Sequence, residues 1–284
     1  MSETPAPPQS AIPDLPTRFV AGVVMAAVAC VAIWYGGWVL RLLVAAAAVV
    51  MMAEWCQLHR ASRHWSWIGG ALVLLALLGG AEFFYPAAVP SVAPDAELLF
   101  DPEDMVPALI AFAGIIGVGA LIALAARRIA IGWGFVYVAA PAFALLVLSW
   151  VYNGLVFWVM VVTWATDIAA YFAGRGIGGP KLAPRVSPNK TWAGLIGGMA
   201  GAGVAGWAIA WLFDLGMPFV WAGAPMAVIA QMGDLYESWV KRRAGAKDSG
   251  TILPGHGGVL DRVDGLLTVS LATYLVLLAG LWAG

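Results

Sequence analysis

MVPALIAFAGIIGVGALIALAARRIAIGWGFVYVAAPAFALLVLSWVY, residues 105–152, is the stretch whose reading decides the fold. Its only charged residues, Arg127 and Arg128, stand side by side near its centre. Each flanking apolar run is long enough to cross a hydrocarbon core as a helix, which takes ~20 residues. The paired arginines mark a turn on the side of the bilayer that retains positive charge. The unit is a helical hairpin through a membrane, and no sequence repeat of such a span pair stands out in the rest of the chain.

Working outward, nine apolar stretches are predicted to span: 19–35, 38–53, 65–85, 105–126, 129–152, 154–173, 192–213, 217–239 and 265–284. Gly36-Gly37 reads as a tight turn between the first two. The composition agrees. Of 284 residues, 62% are hydrophobic and 11% charged, less than half the usual quarter. That leaves too little polar surface for a soluble domain and too much apolar sequence for disorder. A net charge of -1 argues against a nucleic-acid surface. Cys30 and Cys56 fall in apolar stretches and form no CxxC pair, so neither a disulfide framework nor a cysteine zinc site is expected. The expected fold class is an all-α polytopic membrane protein.

Basic residues orient it. Arg60 and Arg63, then Arg127 and Arg128, then Arg175, Lys181, Arg185 and Lys190, and finally Lys241, Arg242, Arg243, Lys247 and Arg262 fall in alternate loops. Arg18 precedes the first span, and Arg41 alone lies on the other side. The positive-inside rule makes the basic loops cytoplasmic, with the N-terminus inside and the C-terminus outside. The opposite loop between spans three and four carries Asp95, Glu97, Asp101, Glu103 and Asp104 without a cation. Residues 1–18 form a Pro-rich head that lacks the basic n-region of a signal peptide. Residues 19–152 form an N-terminal bundle, and 153–284 a catalytic region. The small-residue stripe of span seven, with Gly194, Gly197, Gly198 and Gly201, is expected to pack helices within one chain.

The chemistry concentrates near the basic face. Asp167 lies in span six, Asp234 and Glu237 in span eight, and Asp261 and Asp264 at the start of span nine. Ionisable groups at membrane depth are costly and usually functional. Asp234 and Glu237 are three apart and share a helix face, as do Asp261 and Asp264. Converging carboxylates suit Mg²⁺, which takes oxygen ligands. Blander readings stand beside these: Asp264 as a helix cap, and Glu237 as a partner of Lys241 or Arg242. The loop 174–194, GRGIGGPKLAPRVSPNKTWAG, contains GxGxxG by letter but follows a membrane helix, so the dinucleotide reading fails its context. A Walker A motif fails because Pro180 stands where Lys is needed. Ser187, Lys190 and Thr191, just before span seven, suit phosphate binding. Residues 241–265 interleave cations, acids and glycines around Ser249 and His256. Such a mixture points to a metal-bound phosphate substrate: a nucleotide or pyrophosphate enzyme acting on a lipid.

The segment 238–264, SWVKRRAGAKDSGTILPGHGGVLDRVD, resembles the signature of the phosphatidate cytidylyltransferase (CDP-diacylglycerol synthase) family. The match is carried by Ser238, Lys241, Arg242, Lys247, Asp248, Gly250, Leu253, Pro254, His256, Gly257, Gly258, Asp261, Arg262 and Asp264. Similarity extends over Asp167, KLAPRVSPNKTW and Gly233-Asp234, while the first half matches only as apolar spans. Ala193 departs from the family, which often has Glu or Gln there.

The resemblance implies that CTP and phosphatidic acid give CDP-diacylglycerol and pyrophosphate, with Mg²⁺ required. It implies a homodimer in a bacterial-type inner membrane, with its site facing the cytosol. Asp234, Asp261 and Asp264 are the expected metal ligands, supported by Asp167, around one Mg²⁺ or two cations ~4 Å apart. Lys241, Arg242, Lys247 and Arg262 are expected on phosphates, with Ser187, Lys190, Thr191 and Ser238 completing the substrate cradle. Asp248 and His256 would shape the loop or donate hydrogen bonds. Three enzyme rivals fit less well, and one of them, the CTP-dependent polyprenol kinases, shares some of the family's features but is expected to lack the full signature. The CDP-alcohol phosphotransferase pattern begins at Asp264-Gly265 but breaks at 266–269, and prenyltransferase NDxxD motifs are absent. A transporter would place its acids nearer the midplane.

Overall fold

The computed structural model describes residues 15–80, 102–253 and 257–278. Its helices are α1 (Leu15–Tyr35), α2 (Gly37–Leu58), α3 (Arg63–Leu74, continued by a π turn over Leu75–Gly79), α4 (Pro102–Ala126), α5 (Ile129–Val151) and α6 (Asn153–Gly176). A short hairpin follows, β1 (Lys181–Ala183) and β2 (Ser187–Thr191), then α7 (Trp192–Leu212), α8 (Met217–Ala244) and α9 (Leu260–Leu278). Five of these, namely α2, α4 from Leu109 onward, α5, α6 and α7, are long and apolar enough to cross a membrane.

Helices suit this composition because a bilayer offers the backbone no water, and a helix satisfies its N–H and C=O groups internally. Hydroxyls inside the bundle follow the same rule: Thr163 and Thr166 of α6 donate to the carbonyls of Val159 and Val162, at 2.8 and 2.7 Å. The core centres on α5, whose Ile131, Phe135, Val138, Ala139 and Leu146 are fully buried. Trp207 and Trp211 of α7 instead turn outward, a surface suited to lipid.

The turns sort to two ends. At one, Arg128 of the α4–α5 turn donates to the carbonyls of His59 (2.7 Å) and Arg60 (3.4 Å), which close α2. At the other, Tyr152 between α5 and α6 packs on Phe213 after α7, with ring centroids 6.2 Å apart. Arg41 is buried near that second end, 5.2 Å from the Trp38 ring and 5.3 Å from the Trp150 ring. This is the alternation that the basic residues predict.

The structure departs from the expected boundaries. α6 continues to Gly176, α8 to Ala244, and α9 begins at Leu260, each running past the apolar stretch into polar sequence. At 28 residues, α8 is ~42 Å long, more than the hydrocarbon core requires. Its last turn carries Lys241, Arg242 and Arg243, where cations favour the helix dipole. It stops at Gly245, in the left-handed region at φ 72°. The structure is otherwise helical, and at 181–191 a short two-stranded antiparallel hairpin pairs Lys181 with Thr191 and Ala183 with Ser187. Its turn is closed by Val186 N–H to Ala183 C=O (3.1 Å), with Pro184 in the second turn position, which proline's fixed φ favours.

The small-residue stripe of α7 lies on α6. A Cβ at Gly201 would sit 2.4 Å from the Ala169 Cβ, whereas one at Gly203 would be 3.7 Å from the Ala224 Cβ. Gly201→Ala must push α6 and α7 apart and is expected to cost ~1–3 kcal/mol. Gly203→Ala is expected to be neutral or slightly stabilising, since alanine is the better helix former. Thermal unfolding of the two variants in detergent, followed by tryptophan fluorescence, checks the contrast.

Candidate active site

Three helix ends and the hairpin build the site. α8 supplies Asp234, Glu237, Ser238 and Lys241; α9 supplies Asp261, Arg262 and Asp264; α6 supplies Asp167; β2 supplies Lys190. Close contact between α8 and α9 depends on Gly233, where a Cβ would lie 2.4 Å from Thr268 Oγ1 and 2.8 Å from the Asp264 carbonyl. That approach brings together acids thirty residues apart in sequence.

Asp234, Glu237 and Asp264 each offer a carboxylate oxygen within 4.8 Å of the other two. Glu237 is 1% exposed, and its Oε1 accepts no hydrogen bond among the described residues. Asp234 and Asp264 are half-buried beside it, and ionised carboxylates so close repel one another unless a cation lies between them. A hard divalent ion, with its need for oxygen ligands, fits this donor set.

Cations brace the cluster. Lys190 pairs with Asp234, which also accepts a hydrogen bond from Ser238 Oγ at 3.3 Å. Lys241 Nζ lies 2.6 Å from Glu237 Oε2 and 2.6 Å from Asp261 Oδ1. Asp261 Oδ2 accepts from the N–H of Ser249 (2.8 Å), the Ser249 hydroxyl (2.9 Å) and the N–H of Gly258 (2.8 Å). Burial pushes the Asp261 carboxyl up, but the Lys241 ammonium and the two backbone N–H groups outweigh it and hold it below its ordinary value. Burial likewise pulls Lys241 down, while Asp261 and Glu237 more than reverse that and keep it protonated.

The other predicted residues divide. Asp167 is exposed and lies within electrostatic range of Asp234, Lys190 and Arg262. Arg242, Lys247, Asp248 and Arg262 are exposed near the same end. Thr191 is buried and caps α7, accepting from the Gly194 N–H at 3.0 Å. Ser187 is half-buried and opens β2. His256 lies outside the described residues. The expected carboxylate set is rearranged. Glu237 joins Asp234 and Asp264, while both Asp261 oxygens are occupied by Lys241, Ser249 and Gly258. Sequence spacing placed Glu237 beside Asp234 but had no means of separating a helix-surface ion pair from a shared site.

Behind the cluster stand aromatic rings. Trp133 Nε1 donates to the Tyr236 hydroxyl at 2.6 Å, and Tyr137 of α5 lies 5.2 Å from the rings of both Trp55 and Tyr236. They form a wall between the acids and the core of the first half.

The chain matches the family model described as "Cytidylyltransferase family" over residues 16–279. A phosphatidate cytidylyltransferase of Brucella suis biovar 1 (strain 1330) is 36% identical over 281 residues, covering 92% of this chain and 93% of the relative. One from Pseudomonas aeruginosa is 44% identical over 135 residues, covering 46% of this chain and 48% of the relative. One from Bacillus subtilis (strain 168) is 43% identical over 125 residues, covering 43% and 46%.

The Lys241 side chain is only 12% exposed, between Glu237 at 1% and Asp261 at 4%. Lys241→Met would strand two buried carboxylates, a change that costs ~3–5 kcal/mol when one partner is removed. Arg242→Met, at an exposed position, is expected to move stability by less than ~0.5 kcal/mol. Melting temperatures in detergent at neutral pH separate the two.

Proposed function

Since the chain belongs to the cytidylyltransferase family, we propose that it is an integral membrane phosphatidate cytidylyltransferase. It would take CTP and phosphatidic acid to CDP-diacylglycerol and pyrophosphate. The observation that carries this reading is the Asp234, Glu237 and Asp264 cluster, braced by Lys190 and Lys241 at the basic end of an apolar bundle. The name shared by the relatives from Brucella, Pseudomonas and Bacillus supports the same reaction.

In that reaction a phosphatidate oxygen bonds to the α-phosphorus of CTP, and the bond from that phosphorus to the bridging oxygen breaks, releasing pyrophosphate. Phosphatidate is a phosphomonoester with a second pKa of ~6, so it is largely dianionic at neutral pH and needs no strong base. The difficulty is bringing two polyanions together. The exposed cations Arg242, Lys247 and Arg262 would hold the phosphates and orient them for attack. Lys190, beside Asp234, would bind at the hairpin edge, with Ser187 and Thr191 framing that strand. Asp234, Glu237 and Asp264 would hold Mg²⁺, with Asp167 nearby and Asp261 ordering the loop through Ser249 and Gly258. Bound there, Mg²⁺ would neutralise phosphate oxygens and stabilise the leaving pyrophosphate.

Nine spans, a cytoplasmic N-terminus and an outer C-terminus follow from the positive-inside rule, with the site facing the cytosol across the inner membrane. On that topology the lipid substrate reaches the site from the cytoplasmic leaflet and CTP from solution. The bundle 19–152 would support the catalytic region 153–284. The working unit is read as a homodimer, which mass measurement in detergent would check.

Purified protein given labelled CTP, phosphatidic acid and Mg²⁺ is expected to form CDP-lipid and pyrophosphate, and to stop when the metal is chelated. ATP, GTP and UTP are expected to give no lipid product. Asp234→Asn, Glu237→Gln and Asp264→Asn are each expected to lower turnover on the order of 100-fold, the scale of losing one well-placed charge stabiliser. Wild-type turnover in these variants would remove the cluster from the reaction.

A further inference from the structure

Glu54 belongs to α2, some two hundred residues before the signature loop, and is fully buried at 0% exposure. Among the described residues its carboxylate forms no ion pair with a cation. Oε1 accepts the Val259 N–H at 2.9 Å, and Oε2 accepts the Leu260 N–H at 2.9 Å and the Ser249 hydroxyl at 3.3 Å. The first two donors open α9, where a helix has unsatisfied N–H groups and a positive dipole end. An acid from the first half of the chain thus caps the helix that carries Asp261 and Asp264.

The glycines of the signature are shaped around this acid. A Cβ at Gly250 would stand 2.6 Å from Glu54 Oε1, and one at Gly258 would stand 2.1 Å from Ser249 Oγ and 2.7 Å from Glu54 Oε1. Neither position has room for a side chain while Glu54 is in place. From Glu54 the contacts continue without a gap. The Ser249 hydroxyl also reaches Asp261 Oδ2, Asp261 Oδ1 holds Lys241, and Lys241 holds Glu237 of the acidic cluster.

We propose that Glu54 is a positioning residue for nucleotidyl transfer. It pins Ser249 and the first turn of α9, and so sets where Asp261 and Lys241 hold Glu237 against Asp234 and Asp264. The proposal rests on the reading of that cluster as the catalytic site. Among the described residues, the three groups that meet the Glu54 carboxylate are all donors. A glutamine there keeps one acceptor oxygen and turns an NH₂ group toward an N–H, so it fits the volume and fails the chemistry.

The test uses the full chain in lipid nanodiscs, comparing wild type with Glu54→Gln, and with Met52→Leu as a control on the same helix. Amide exchange is read over 249–260 and over α6 and α7, and kinetic constants for CTP are taken per folded molecule across a Mg²⁺ series. Glu54→Gln is expected to speed exchange at Val259 and Leu260 while α6 and α7 stay protected. It is expected to lower kcat/KM for CTP at least tenfold and to raise the Mg²⁺ concentration for half-maximal rate several-fold. Kinetic constants within twofold of wild type, with or without a lower melting temperature, overturn the proposal, because a packing role alone leaves them untouched. Should the glutamine variant not fold, Ser249→Ala removes the hydroxyl shared by Glu54 and Asp261. It is expected to lower kcat/KM at least fivefold, and an unchanged value overturns the proposal equally. If wild type turns over no CTP, the assigned reaction fails, and exchange at Val259 and Leu260 still decides whether Glu54 holds the loop.

Discussion

One ammonium group sits where α8 and α9 meet. Lys241, in the last turn of α8, bridges Glu237 on its own helix and Asp261 on α9, each at 2.6 Å. An ammonium placed among carboxylates in a poorly solvated site does two things at once. It lowers the cost of keeping those acids ionised, and it fixes the separation of the helices that carry them. Asp234 and Asp264 inherit their positions from that separation, and Gly233 permits it by letting the backbones approach. Remove the ammonium and the acids would have to take up protons or move apart, and either change would alter what the cluster can bind.

The surrounding bundle serves this junction by confining polarity to one end. Inside the bundle, buried hydroxyls fold back on their own helix carbonyls, while large apolar side chains such as Trp207 and Trp211 turn outward. Charge appears where helices outrun the hydrocarbon, as in the last turn of α8 and the first of α9. The same end holds the 181–191 hairpin, which delivers Lys190 to Asp234. A lipid phosphate has its charge at the membrane surface and its chains below it. A polar site at the mouth of an apolar bundle matches that division.

One route from the first half of the chain into the site runs through α2. It passes through Glu54, and beside it through Trp55, whose indole donates to the Ala130 carbonyl at 2.8 Å and stacks toward Tyr137. By sequence, residues 19–152 read only as apolar spans, and the predicted second span stops at 53, one residue short of the acid. Glu54 was illegible there for a physical reason. Its partners are backbone N–H groups and a serine some two hundred positions away, and neither periodicity nor local charge pairing registers such a contact. The hairpin was illegible differently: its strands are too short to show alternation.

What the sequence determined by itself follows from solvent. Apolar run length and the placement of cations govern which stretches cross a bilayer and which turns share a side, because those energies are local and additive along the chain. The 238–264 signature likewise carried the family. Tertiary structure alone decided which acids meet. Asp234, Glu237 and Asp264 converge, Asp261 is committed to Lys241 and two N–H groups, and Glu54 reaches across from α2. Those outcomes depend on distances between helices, and a carboxylate's partner is settled by angstroms that no spacing along one chain encodes.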